Sequence, residues 1–220
     1  MEGVTEQKLQ YMTQFLTTEH FTLQGLRSGT ISESNGRLGH YLSAVGSGIV
    51  ALAFVADVSE LGPVFLAFSV VIFPVLIFLG VMTLIRLLQV GITDARCVQA
   101  INRIRHFYLE AAPEAESYFS FPHYDDPDAV QRTMMPFHPP DFLQGFASTP
   151  GPVIVINSVL SGVFASILAA GPTSLGPIPA VVIGVLVLVV AIVLHYWIAA
   201  TVWPRETREH AEVRFPTPEE

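Results

Sequence analysis

Between Phe142 and Pro204 the chain carries no Asp, Glu, Lys or Arg. A soluble domain draws roughly a quarter of its residues from those four types, so a run of about sixty without one excludes an ordinary soluble fold here. The run is interrupted at Gly171-Pro172-Thr173-Ser174-Leu175-Gly176-Pro177-Ile178-Pro179, which cannot continue a helix. On either side lie the apolar segments Val153–Ala170 and Ala180–Trp203. At about 1.5 Å rise per residue each reaches across a hydrocarbon core of about 30 Å. The pattern predicts a transmembrane hairpin.

The first half predicts a second one. Tyr41–Ala56 and Val64–Leu88 are apolar and flank a short turn containing Asp57, Ser59, Glu60, Gly62 and Pro63. The second of these spans is rich in Phe and contains Pro74, which removes one backbone donor and predicts a kink. Arg86 near its end can snorkel to headgroups. In the first span Gly39, Ser43, Ser47 and Ala51 recur every fourth residue, a small-residue stripe that predicts close helix packing.

Outside the spans, Leu9, Met12, Leu16, Leu23 and Leu26 predict an amphipathic helix lying on the membrane surface or on the protein itself. Thr30-Ile31-Ser32-Glu33 fits a capping box, so a new helix is expected to start there and lead into the first span. Val98, Ile101, Ile104 and Tyr108 mark a helix that continues past the second span and ends before Pro113. The Pro- and aromatic-rich stretch 113–149 is expected to pack, because disordered linkers are poor in aromatics. Within it Asp126-Pro127 reads as an N-cap with Pro at the first helical position. Tyr196, Trp197 and Trp203 fit an interfacial belt.

The resulting expectation is an all-α integral membrane four-helix bundle with an N-terminal amphipathic helix and a cytoplasmic helical and loop insert. Its segments are an N-terminal helix and lead-in (1–40), a first hairpin (41–92), the insert (93–149), a second hairpin (150–204) and a tail (205–220). The turns 57–63 and 171–179 contain no Lys or Arg. By the positive-inside rule both termini and the insert are expected on the cytoplasmic side of the membrane.

That orientation aligns the polar residues of the spans. Ser43, Ser47, Thr83, Arg86, Asn157, Ser158, Ser161 and His195 all fall in the cytoplasmic halves, while the outer halves are nearly pure aliphatic and aromatic. Polar groups in lipid turn inward and pair. Two arrangements satisfy this: a hydrogen-bonded knot with a neutral His195 bonded to Asn157 or a serine, or a water-filled vestibule in which His195 titrates.

Several chemistries are disfavoured. Net charge is −8 and the eleven Lys and Arg are scattered, which argues against nucleic acid as a partner. The single cysteine, Cys97, cannot form an internal disulfide. His123-Tyr124-Asp125-Asp126 and His138-Pro139-Pro140-Asp141 contain ligand-type side chains, but at no established zinc spacing, so no metal site is read. Without a nucleophile–base order, a phosphate loop or paired carboxylates in the spans, neither an enzyme nor a cofactor is expected.

The stretch Leu26 to Arg37, followed by Tyr41-Leu42-Ser43 and Val50 to Ala56, resembles small, uncharacterised four-span membrane proteins of actinobacteria. In plan the chain also resembles the four-span effectors of bacterial nucleotide-signalled defence, which implies oligomerisation and membrane permeabilisation. Together these suggest an oligomeric inner-membrane protein that forms or gates a pore. A cytoplasmic protein or small molecule would supply the signal, with the bilayer and further copies of the chain as its other partners. The alternative is a non-conducting scaffold or accessory subunit of a larger complex.

Overall fold

A computed structural model of the chain describes residues 6–135, 141–171, 176–209 and 211–218. These residues are helical, with no strand among them. The order is α1 (Glu6–Val58), α2 (Pro63–Ala111), a 3-10 turn (Pro113–Tyr118), α3 (Pro127–Met134), α4 (Asp141–Ala147), α5 (Gly151–Ala170) and α6 (Pro177–Pro204), with a π turn at Arg205–Glu209. Four helices, α1, α2, α5 and α6, are long and apolar enough to cross a membrane.

The chain divides into two compact units. The first contains residues 1–33, 89–139 and 203–220; the second contains residues 34–88 and 140–202. α1 and α2 contribute to both.

The second unit has its core where four helices meet. Tyr41, Val45 and Leu52 from α1 pack with Phe73, Leu76 and Leu84 from α2, and with Val153, Ile154 and Leu160 from α5. α6 buries little: Ala180, Gly184 and His195 are its buried residues, while its Val and Leu side chains lie largely exposed. A helix that is apolar all round and outward-facing suits a hydrocarbon surrounding. Its approach to α5 is set by glycine. A Cβ on Gly162 would lie 2.7 Å from the Gly184 carbonyl oxygen, and one on Gly184 would lie 2.7 Å from that of Gly162. Backbone meets backbone there because neither residue has a side chain. The turn from α1 to α2 places Glu60 and Leu61 at φ 49° and 59°, in the left-handed region. Leu61 N–H donates to Ala56 O (3.1 Å) and Gly62 N–H to Ser59 O (2.8 Å), closing the end of α1.

In the first unit the structure corrects one expectation. No helix begins at Thr30. α1 runs through Gly25, Gly29, Gly36 and Gly39 without a break. Each interior Gly costs about 1 kcal/mol relative to Ala, and tertiary contacts offset this. Arg27 Nε pairs with Asp94 at 3.1 Å. The Thr30 hydroxyl, instead of capping, donates to Arg27 O (2.7 Å) and lies 3.3 Å from Asp94. The inward line of this segment is Leu9, Leu16, His20, Leu23, Arg27 and Thr30, with Met12, Phe15 and Leu26 exposed. His20 stacks on Tyr108 of α2.

α2 ends at Ala111, ahead of Pro113. Asp126 caps α3, its carboxylate accepting from Asp128 N–H and Ala129 N–H, with Pro127 at the first helical position. Packing of the intervening aromatics is uneven: Tyr118 and Phe121 are exposed. Phe137 and His138-Pro139-Pro140 lie outside the described residues, and Asp141 is described only in its helical backbone. Trp203 is half-buried in the first unit. It packs on Gly91 and joins Ala95, Val98, Val130 and Met134, whereas Trp197 is exposed.

Candidate functional site

The polar residues of the second unit divide into two groups. Asn157 and Ser158 on α5 and His195 on α6 are buried together, with Tyr41 of α1. Three bonds connect them. The Tyr41 hydroxyl donates to Asn157 Oδ1 at 3.4 Å. Asn157 Nδ2 lies 3.3 Å from His195 Nε2. His195 Nδ1 lies 2.7 Å from the Ala191 carbonyl oxygen and 3.3 Å from Ser158 Oγ.

These partners fix the tautomer. A carbonyl only accepts, so Nδ1 carries the hydrogen and Nε2 accepts from the Asn157 amide. Ser158 donates its own hydrogen to Ile154 O (2.7 Å), leaving its lone pairs toward the imidazole. The result is a chain of bonds from Tyr41 to Asn157 to His195 to Ala191. Ser161 stands one turn along α5 and donates to Asn157 O at 2.8 Å.

The carboxamide of Asn157 lies against α2 at Gly80. A Cβ there would fall 2.2 Å from Asn157 Oδ1 and 2.5 Å from Cγ. Gly80 therefore provides the space that Asn157 occupies between α2 and α5.

The other group lies elsewhere. Gly39, Ser43 and Ser47 are exposed on α1, and Ala51 is half-buried. A Cβ on Gly39 would meet nothing within 4 Å. The small-residue stripe thus faces outward within one copy of the chain, and Ser43 and Ser47 take no part in the His195 chain. Thr83 and Arg86 are half-buried on α2. Sequence reasoning missed Tyr41 and Gly80. Tyr41 had a legible signal, since a buried phenol at a span's start requires a partner; Gly80 had none, because its role depends on which residue faces it.

A second polar cluster, in the first unit, was also missed. Asp125, read from sequence as a weak ligand candidate, is fully buried and pairs with Arg103 at 2.6 Å. It also accepts from the backbone N–H of Arg214 (3.0 Å) and Phe215 (2.7 Å). Burial alone would push its carboxyl up, but the bonds from Arg103, Phe215 and Arg214 outweigh that and hold it below the ordinary 3.8. Asp126 is likewise held low: burial opposes, and bonds from the Thr217 hydroxyl, Ala129 N–H and Thr217 N–H prevail. Among the described residues no group of three or more His, Cys, Asp or Glu is arranged to hold a metal ion. Comparison of the chain with protein-family models, with curated proteins and with solved structures returns no match.

Proposed function

We propose that the chain is an oligomeric, multi-pass inner-membrane protein whose α1 helices meet in the assembly and form or gate a pore, in response to a cytoplasmic signal. The observation that carries this reading is the outward placement of Ser43 and Ser47, with His40 one turn before them, on an otherwise apolar span. Polar side chains facing hydrocarbon are costly, and assembly removes that cost by turning them toward other copies or toward water. Small residues at the same face let helices approach closely. The buried Tyr41–Asn157–His195 chain supports a different role for the inner polar group. Its bonds are satisfied internally, so it orders the helices within one copy.

Purified protein in liposomes is expected to pass small ions. Ser47→Leu is expected to reduce both flux and oligomer mass in detergent. His195→Leu is expected to retain flux and to lower stability by about 1–3 kcal/mol, because Asn157 loses an acceptor inside the bundle. Flux from neither protein nor variants, with the oligomer intact, favours the scaffold reading.

Orientation has its own test. Cys97 is buried, and burial followed by the nearby Asp94 carboxylate raises its thiol above the ordinary value. The native thiol is therefore expected to resist reagents from either side. In a Cys97→Ala background, Asp57→Cys is expected to react with a membrane-impermeant maleimide on intact spheroplasts. Tyr118→Cys, at a position 84% exposed, is expected to react only after lysis. The opposite pattern reverses the topology.

A further inference from the structure

Residues 212–217 follow the π turn as an irregular strap, bent at Arg214 and Phe215, held by side chains from two other segments of the first unit. Gln99 Nε2 donates to Glu212 O (3.2 Å) and to Asp125 O (2.9 Å), tying strap and loop to α2. Arg103 donates to the same Glu212 carbonyl while pairing with Asp125. Asp125 N–H donates to Phe215 O at 3.0 Å, and its carboxylate receives the Arg214 and Phe215 amides. The Phe215 ring stacks on His106, with centroids 4.2 Å apart. Thr217 closes the far end, giving its N–H (3.0 Å) and its hydroxyl (2.5 Å) to Asp126.

The receiving surface is braced without the strap. Asn102 Nδ2 donates to Tyr124 O (2.9 Å), Arg105 donates to Asn102 Oδ1 (2.9 Å), and Asp126 is anchored at the start of α3. The strap itself is thinly covered: Glu212, Val213, Arg214, Pro216 and Thr217 are exposed. Backbone bonds supply attachment, and one aromatic slot with one hydroxyl-binding carboxylate supplies selectivity. Main-chain bonds for affinity and side-chain pockets for specificity are how proteins bind peptide segments. The strap also leaves something unmet. His106 Nδ1, beside the Phe215 ring, is shielded from solvent and meets no donor or acceptor among the described residues. A buried polar atom without a partner marks a place where another occupant gains a bond.

We propose that this groove is a peptide-recognition site and that residues 212–217 are its resident, displaceable ligand. The class of ligand is a peptide segment, bent where it presents two successive free amides, with an aromatic side chain at the second of them and a hydroxyl two residues further on. Segments held mainly by polar bonds, with little apolar burial, open locally at a fraction of the global unfolding free energy. The proposal does not rest on the pore reading.

The test uses the full chain. Hydrogen exchange of the wild type is expected to show the Arg214, Phe215 and Thr217 amides exchanging at least tenfold faster than those of Val98 and Ile101 in α2. In the full-length Phe215→Ala, Thr217→Val double variant the Arg214 amide becomes fully labile while α2 stays protected. This variant is expected to bind a labelled peptide, Ala-Glu-Val-Arg-Phe-Pro-Thr-Pro, saturably and at least tenfold more tightly than the wild type, whose groove is occupied. The same peptide with Ala for Phe is expected not to bind. If the strap amides exchange only together with α2, in wild type or variant, the strap is an integral part of the unit and the proposal is overturned. It is equally overturned if an emptied groove ignores the peptide.

Discussion

Asp125→Ala lowers the stability of the first unit by about 3–5 kcal/mol, the range for breaking one side of a buried ion pair. The carboxylate is fully buried and serves Arg103 together with two backbone amides of the strap. Its removal leaves three donors facing a methyl group. Asp125→Asn keeps one acceptor oxygen and is expected to cost less. Thermal unfolding in detergent measures the loss, and the same variants give a pH signature. Folding depresses this carboxyl below its ordinary 3.8, so the unfolded chain binds the extra proton. The contribution is therefore complete above 3.8 and is lost as pH falls through the folded value. Asp126 titrates in the same direction and adds to the acid limb. Asp125→Ala should flatten that limb without changing stability differences between pH 6 and pH 8. An unchanged acid limb would mean that the strap bonds do not form in solution.

Gly80→Ala is expected to damage the second unit at its buried polar chain. The new Cβ would stand 2.2 Å from Asn157 Oδ1, and all three nearest atoms belong to the Asn157 carboxamide. Asn157 must withdraw, which breaks its bonds to Tyr41 and His195. Overpacking costs about 1–3 kcal/mol, and an unmet buried polar group adds about 1–3 kcal/mol. The cause can be isolated by a double-mutant cycle. In an Asn157→Ala background the clash is absent, so Gly80→Ala should cost at least 1 kcal/mol less there than in the wild type. Strict additivity would show that the two residues do not touch.

Much of the helical plan was legible because it depends on length and composition. The uncharged run after Asp141 and the Pro-rich break at 171–179 suffice to mark α5 and α6 as candidate spans. Asp126-Pro127 marks the start of α3 through backbone chemistry local to four residues. What was not legible depends on partners. Thr30 has the sequence of a cap and the geometry of a mid-helix residue: its hydroxyl donates to Arg27 O, and Asp94, sixty-four residues away, holds the Arg27 side chain beside it. Ser43, Ser47 and Asn157 look alike as polar residues in apolar helices. Only the rotation of each helix about its own axis separates the outward serines of α1 from the inward Asn157 of α5 and His195 of α6, and rotation follows from packing against helices far along the chain. The strap was invisible for the same reason: a Phe between Arg and Pro in a short charged segment carries no sign that a carboxylate some ninety residues earlier will hold it.

That distance bears on how the protein is made. Asp125 is separated from the Arg214 amide by 89 residues, among them α5 and α6. At roughly 5–20 residues per second a ribosome needs about 4 to 18 seconds to cover that interval. Throughout it the loop at Asp125 has been synthesised and its last partners have not. Arg103 is already available, so charge is matched from the outset, but the slot beside His106 stands empty until Phe215 emerges. The first unit is thus completed after both hairpins have been made, and its final contacts report that the chain has been translated through its fourth apolar helix.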